Sequence, residues 1–166
     1  MEEIPGVQLK EVIDTFTPSQ HEHVASQIKG ILAEMHSISA PYIGSVSGGP
    51  FKNSYFFPYA IKPQNAWANE YATELLANFP QNCPIHFAHG DLVPRNILVN
   101  GSTITGIVDW SMAGFYPEFW EYCRMYDDSE HSKGWDKVLS MIFPGPRRDN
   151  QIATFHRLMG TLLYNL

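Results

Sequence analysis

Apolar positions recur every three or four residues after the sequence "TPSQ" at residues 17–20. In that sequence the threonine and glutamine can form a capping box, and the proline suits the first helical position. The spacing predicts an amphipathic helix over residues 18–38. Similar spacing predicts helices in residues 7–16, 65–79, 117–125, 135–142 and 149–164.

Strand patterns are fewer and shorter. Residues 85–88 form an apolar run, and the sequences "NILVN" and "TITGIVDW" alternate around Asn100-Gly101, which favours a hairpin turn. Residues 40–64 are rich in Gly, Pro, Ser and aromatic residues and predict a long loop. The pattern as a whole predicts an α+β protein that is mainly helical and carries one small β-hairpin.

Length and composition limit the possible classes of function. The chain has 166 residues, which predicts a single domain over residues 1–166. A net charge of −6 argues against nucleic acid or a membrane surface as the main partner. No apolar run is long enough to span a bilayer, and the start "MEEIPGVQLK" does not resemble a secretory signal. Cys83 and Cys123 lie far apart in the sequence and form no C-x-x-C pattern, which favours two reduced thiols. Because reduced thiols are typical of a reducing compartment, we expect a cytoplasmic protein.

Polar residues are concentrated in the sequence "FAHGDLVPRNILVNGSTITGIVDW" at residues 87–110. Asp91 follows the predicted strand on an irregular segment, Asn96 begins the first hairpin strand, and Asp109 ends the second. Because a hairpin brings its outer ends together, Asn96 and Asp109 are expected to be neighbours. Such oxygen ligands suit Mg²⁺, and Asp91 could accept a proton from a hydroxyl nucleophile. These are the groups that phosphoryl transfer requires.

Each of these residues also has an ordinary structural explanation. Asp and Asn in turns usually hydrogen-bond to the backbone, and Asp109 could simply cap a strand. The spacing, the strand context and the second aspartate together favour the phosphotransfer hypothesis. A metal-dependent hydrolase would need more clustered ligands, whereas the seven histidines of this chain are scattered.

The sequences "HGDLVPRNILV" and "ITGIVDW" closely resemble the catalytic loop and metal-binding strand of the aminoglycoside phosphotransferase and choline kinase family, which is related to protein kinases. "AGFYPEFWEYCRM" resembles the helix that follows in that family. The resemblance implies the C-terminal lobe of a protein-kinase-like fold. It also implies that Asp91 is the catalytic base and that Asn96 and Asp109 bind Mg²⁺. His89 would support the loop, and Arg95 would contact the backbone or the phosphate edge.

The start of the chain, "MEEIPGVQL", resembles the hinge of the same family, so residues 1–7 are expected to be hinge-like, with Glu2, Glu3 and Ile4 beside ATP. No strand-loop-strand with a phosphate-binding lysine precedes this segment, and Gly48-Gly49 and Lys52 fall in the predicted loop. We therefore expect a truncated chain of low activity on its own. Its uncovered apolar surface near Ile4 would favour self-association or a covering partner.

Two hypotheses of function remain. The first is an ATP- and Mg²⁺-dependent phosphotransferase that acts on a small-molecule hydroxyl. The second is a non-catalytic or repurposed kinase-like module that binds a metabolite or a protein. Asp127, Asp128 and Glu130 form an acidic cluster in the sequence. This cluster would suit an amine-bearing substrate, or it is a solvated face.

Overall fold

A computed structural model describes residues 4–47, 79–80 and 82–164 of the chain. The predicted helix at 65–79, apart from Phe79, lies outside the described residues, as do Gly48-Gly49 and Lys52. The described part contains helices and two small antiparallel sheets, which confirms the predicted α+β class. None of its helices is long and apolar enough to cross a membrane.

The described helices are α1 (Leu9–Val12), α2 (Pro18–His36), α3 (Phe119–Met125), α4 (Lys133–Ile142) and α5 (Asp149–Tyr164). The strands are β1 (Val7–Gln8), β2 (Gly44–Ser45), β3 (Ile85–Ala88), β4 (Ile97–Asn100), β5 (Thr103–Ile107) and β6 (Gly114–Pro117). One sheet has the order β1-β4-β5 and the other has the order β2-β6-β3. The segment that joins β3 to β4 therefore passes from one sheet to the other.

Helix α2 begins where the sequence predicts. The Thr17 hydroxyl accepts the backbone N–H of Gln20, and the Gln20 side chain accepts the N–H of Thr17 at 2.8 Å, so the capping box is present. The helix ends at His36, two residues before the predicted end. Its buried face packs with α4, α1 and β4 in the larger of two apolar clusters.

The hairpin forms as predicted, but with different limits. Asn100 pairs with Thr103, so the two turn residues are Gly101 and Ser102, and Gly101 has a φ of 61°. Asn96 lies in a 3-10 turn before β4 and does not begin the strand. Strand β5 ends at Ile107. The prediction that Asp109 ends this strand is therefore wrong.

The second sheet was not predicted in full. Residues of β6 pair with β3, with Phe115 opposite Phe87, so the helix predicted at 117–125 begins only at Phe119. Residues 114–117 form a strand because they pair with the distant strand β3, and the spacing of apolar residues in the local sequence does not predict such pairing. Strands β3 and β6 and helices α3 and α5 supply the second apolar cluster.

Helix α2 also holds the hairpin in place. The Gln27 side chain donates to the Ser102 carbonyl and accepts the Ile104 N–H, each at 2.9 Å. The Thr105 hydroxyl on β5 donates to the Pro5 carbonyl at 2.6 Å. These contacts fix the strand that leads to Asp109.

Candidate active site

Residues 89–96, which we call the 89–96 loop, connect β3 to β4 and carry most of the predicted site. Gly90 has a φ of +79°, and a Cβ at this position would lie 2.5 Å from the Met112 carbonyl oxygen. Only glycine fits such a left-handed position against the neighbouring backbone. The loop therefore runs close beneath the residues that follow Asp109.

His89 links the loop to the end of the hairpin. Its ring is fully buried, its Nε2 bonds to the Val108 carbonyl at 3.1 Å, and its Nδ1 accepts the Asp91 N–H at 3.2 Å. This pairing requires the neutral ring to carry its proton on Nε2. Burial lowers the pKa of His89, against the opposing effects of the Val108 carbonyl and nearby carboxylates. A neutral His89 therefore joins the backbone at Asp91 to the residue before Asp109.

Asp91 is buried and makes three side-chain contacts. Its Oδ2 accepts from Arg95 Nη2 at 2.6 Å and from Asn96 Nδ2 at 2.9 Å. Its Oδ1 accepts from Arg124 Nη2. The carboxylate of the candidate base is thus paired with two guanidinium groups.

Asn96 and Asp109 are brought close through the backbone. The Val108 N–H donates to the Asn96 carbonyl at 2.9 Å, so Asp109 follows a residue bonded to Asn96. The Asn96 amide nitrogen is engaged by Asp91, which leaves its amide oxygen available for a cation. Asp109 is exposed, and its side chain bonds only to Ser111 among the described residues, at 2.6 Å.

Two further properties of Asp109 fit a ligand role. The Ser111 hydroxyl bond lowers the pKa of Asp109, so the carboxylate stays ionised. The residue has φ 60° and ψ 61°, a left-handed conformation that most side chains avoid at a cost on the order of 1 kcal/mol and that Asp tolerates better. Asn96 and Asp109 supply the kind of oxygen donors that Mg²⁺ takes together with phosphate and water.

Helix α3 holds the backbone of the 89–96 loop. The Glu121 carboxylate accepts the N–H groups of Gly90 at 2.9 Å and Leu92 at 3.0 Å, and Arg124 Nε donates to the Gly90 carbonyl at 3.2 Å. Burial raises the pKa of Glu121, while the two backbone N–H groups and Arg124 act in the opposite direction. Helix α3 thus satisfies three backbone groups of the irregular loop, the N–H groups of Gly90 and Leu92 and the carbonyl of Gly90.

Arg95 also pairs with a second carboxylate, that of Glu130. Its Nη1 donates to Glu130 Oε1 at 2.8 Å, and the same oxygen accepts Lys10 Nζ at 3.0 Å. Burial disfavours the charged form, but the bonds and charges of Glu130 and Asp91 raise the pKa of Arg95. A row of alternating charges therefore extends from Lys10 to Asp91 and on through Arg124 to Asp127.

Glu121, Arg124 and the pairing of Glu130 were not predicted from the sequence. A signal was present for the first two, because they are the only charged residues of α3, whose seven residues are all buried. Charged residues are almost never fully buried unless they are paired. Cys123 on the same helix is inert, since burial raises the pKa of its thiol to about 12.

The acidic cluster seen in the sequence does not form one face. Asp127 pairs with Arg124 and accepts from Ser129, and Glu130 pairs with Arg95 and Lys10. Only Asp128 is largely exposed, with His156 3.9 Å away. An amine-bearing substrate therefore gains no support from a common carboxylate surface.

The hinge-like segment is described only from Ile4 onward, and Glu2 and Glu3 lie outside the described residues. Ile4 is 40% exposed and lies beside Gly106 on β5. Val7, which pairs with Val99, is 45% exposed. This apolar surface is present as expected, and its role in binding ATP or a partner stays a prediction.

Comparison with known proteins confirms the resemblance seen in the loop. The profile of the phosphotransferase enzyme family matches residues 1–160. Comparison with curated protein sequences gives no match. Among solved structures, 72 chains match.

The similar structures share the fold at low sequence identity. An aminoglycoside-3'-phosphotransferase of type VIII has a TM-score of 0.56 at 17% identity, over 97% of this chain and 67% of that chain. An aminoglycoside phosphotransferase from Streptomyces rimosus has the same TM-score at 15% identity and the same coverage. A choline/ethanolamine kinase family protein from Mesorhizobium loti has a TM-score of 0.52 at 18% identity, over 98% of this chain and 56% of that chain.

A fourth structure is the GDP complex of an aminoglycoside 2'-phosphotransferase mutant, with a TM-score of 0.54 at 17% identity, over 97% of this chain and 57% of that chain. The chain thus spans about two-thirds of the length of two of these structures and less of the other two. The shared fold is the kinase-like fold that the loop motif implied.

The buried ring of His89 predicts acid sensitivity. Its pKa lies below the ordinary 6.5 in the folded state, so below that pH the unfolded chain binds a proton that the folded chain resists. The unfolding free energy should fall as pH drops below about 6.5, and less steeply in His89→Asn. Urea unfolding from pH 7.5 to 5 measures both slopes, with exposed His131→Asn as the control. Equal slopes for wild type and His89→Asn would show that His89 is not held neutral.

Proposed function

Because the chain belongs to the phosphotransferase enzyme family, we propose that it takes part in phosphoryl transfer from ATP to a hydroxyl group of a small molecule. The observation that carries the proposal is the 89–96 loop. It holds a buried carboxylate, Asp91, against Asn96, and His89 joins its backbone to the residue before Asp109.

Asp91 is proposed as the general base. It would accept the hydroxyl proton of the substrate as the oxygen attacks the terminal phosphorus of ATP, and ADP would leave. The loop suits this role because Glu121, His89 and Arg124 fix its backbone. Much of phosphoryl-transfer catalysis comes from positioning of this kind.

Asn96 and Asp109 are proposed to hold Mg²⁺. Held by these two residues, a bound ion would supply positive charge against the negative charge of the transferred phosphate. The residues fit the ion, because an amide oxygen and an ionised carboxylate are hard oxygen donors. In the described part of the chain, including this site, no group of three or more His, Cys, Asp or Glu side chains is gathered around one point.

The nucleotide and the acceptor are supported less closely. The GDP complex of a similar structure supports a nucleotide site in this fold, and ATP is our choice among nucleoside triphosphates. The similar structures include aminoglycoside phosphotransferases and a choline/ethanolamine kinase family protein. We propose that the acceptor is a small molecule with a hydroxyl group. That it also carries an amine stays a prediction, as does the cytoplasmic location of the protein.

A non-catalytic binding module is the second candidate. The observation that favours it is the pairing of both Asp91 oxygens with arginines, because a paired carboxylate is not free to act as a base. The exposed Ile4 and Val7 would then serve self-association or a protein partner. Turnover that depends on Asp91 separates the two candidates.

The metal proposal predicts weak binding of Mn²⁺, used as a probe for Mg²⁺, that tightens when ATP is added. Asp109→Ala should weaken it at least about tenfold, since one of two protein ligands is lost. Electron paramagnetic resonance of free Mn²⁺, with and without ATP, measures the affinity. The exposed Asp149→Ala serves as the matched control. Equal binding by wild type and Asp109→Ala would rule the site out.

The activity proposal predicts ATP consumption that requires Asp91. We expect turnover about 10²–10³-fold higher when a lobe that supplies a phosphate-holding lysine is fused before Met1. ATP and GTP consumption is measured with a panel of hydroxyl and amino-alcohol compounds, on both chain lengths and their Asp91→Asn variants. Turnover that survives Asp91→Asn would exclude Asp91 as the base. Equal turnover by both lengths would show that no further lobe is needed.

A further inference from the structure

One oxygen of Asp91 is fully occupied. Its Oδ2 accepts two hydrogen bonds, from Arg95 at 2.6 Å and from Asn96 at 2.9 Å. A carboxylate oxygen has two lone pairs, so this oxygen has no place for a substrate hydroxyl. The side chain of Asp91 is 9% exposed, and its other oxygen is bound by the buried Arg124. In this arrangement, which we call the paired state, the proposed base is blocked at Oδ2.

A second carboxylate beside Arg95 has the opposite property. Glu130 Oε1 accepts from both Arg95 Nη1 and Lys10 Nζ. Glu130 Oε2 is buried and has no hydrogen-bond partner among the described residues. A buried carboxylate oxygen without a partner is unfavourable, so it is a ready acceptor for a nearby donor. Arg95 already holds the other oxygen of the same group.

We propose that Arg95 is a gate on Asp91, and that Glu130 is the positioning residue that receives it. In the open state, Arg95 Nη2 leaves Asp91 Oδ2 and binds Glu130 Oε2, while Nη1 stays on Oε1. The freed Oδ2 then accepts the substrate hydroxyl. This inference rests on the proposed function, because it assigns to Asp91 the role of base.

The exchange conserves the charged hydrogen bonds of Arg95. It makes two such bonds in the paired state, one to each carboxylate, and two in the open state, both to Glu130. Two parallel bonds from one guanidinium to one carboxylate form the most favourable geometry for this pair. The exchange also gives Oε2 the partner that it lacks. The two states are therefore close in free energy, as a gate requires.

Arg95 is better suited to move than Arg124. The Arg124 side chain is 9% exposed and is held at three places: the Gly90 carbonyl, Asp91 and Asp127. The Arg95 side chain is 35% exposed and, within the described part of the chain, is held by two carboxylates. Arg124 thus fixes the base and its loop, while Arg95 can release the base.

The first test is a crystal structure of Asp91→Asn, in which residue 91 no longer attracts Arg95 by charge. We expect Arg95 Nη2 to lie about 3 Å from Glu130 Oε2. Asp91→Ala is a second variant with the same expected result, and exposed Asp149→Asn should keep the paired state. Arg95 still bound to residue 91 in Asp91→Asn, or turned to solvent in either variant, would overturn the gate.

The second test uses the kinetics of the wild-type chain and three variants. Glu130→Gln keeps one acceptor for Arg95 and replaces the other with a donor, so it should hold Arg95 on Asp91. We expect kcat to fall about tenfold while the KM for ATP is unchanged. Adding Arg95→Ala to Glu130→Gln should restore kcat, which a purely structural role of Glu130 would not do.

The controls separate the gate from the proposed activity. Glu22→Gln, on the exposed face of α2, is the matched control for Glu130→Gln. A double variant no faster than Glu130→Gln would overturn the gate. If the wild-type protein fails to turn over ATP both as this chain and with a phosphate-holding lobe supplied, the proposed function fails, and the Asp91→Asn structure still decides where Arg95 binds.

Discussion

The contact between Glu121 and the backbone of the 89–96 loop supports the rest of the candidate site. The loop crosses between two sheets with an irregular backbone, so its buried N–H groups cannot be satisfied by strand pairing. Glu121 accepts those of Gly90 and Leu92, and Arg124 from the same helix binds the Gly90 carbonyl. Because every residue of α3 is buried, the helix is a firm support. The position of Asp91 is therefore set by a helix that follows it in sequence.

The charges around Asp91 add a second constraint. Three basic and three acidic side chains alternate from Lys10 through Glu130, Arg95, Asp91 and Arg124 to Asp127. Removal of Arg124 would leave the buried carboxylate of Asp91 without one of its partners, and breaking a buried pair commonly costs about 3–5 kcal/mol. The row therefore couples the start of the chain, the loop and the end of α3. One oxygen of this row, Glu130 Oε2, has no hydrogen-bond partner among the described residues.

The sequence predicts the parts of this structure that depend on local physics. The capping box of α2, the hairpin and the spacing from Asp91 to Asn96 each lie within a few residues, so local pattern records them. The strand β6 and the partners of the loop depend on distant pairing. Glu121 is 31 residues from Gly90, and Lys10 is 120 residues from Glu130. Such contacts arise only when the chain is folded, although two charges within the apolar helix α3 did indicate a buried role.

Amide hydrogen exchange tests most directly whether Glu121 holds the loop. Protection of the Gly90 and Leu92 amides is compared in wild type and Glu121→Gln, with the exposed Glu118→Gln as the control. If the carboxylate holds both amides, at least one of them should exchange about tenfold faster or more in Glu121→Gln, while α2 keeps its protection. Unchanged protection of both amides in a folded Glu121→Gln variant would contradict the account.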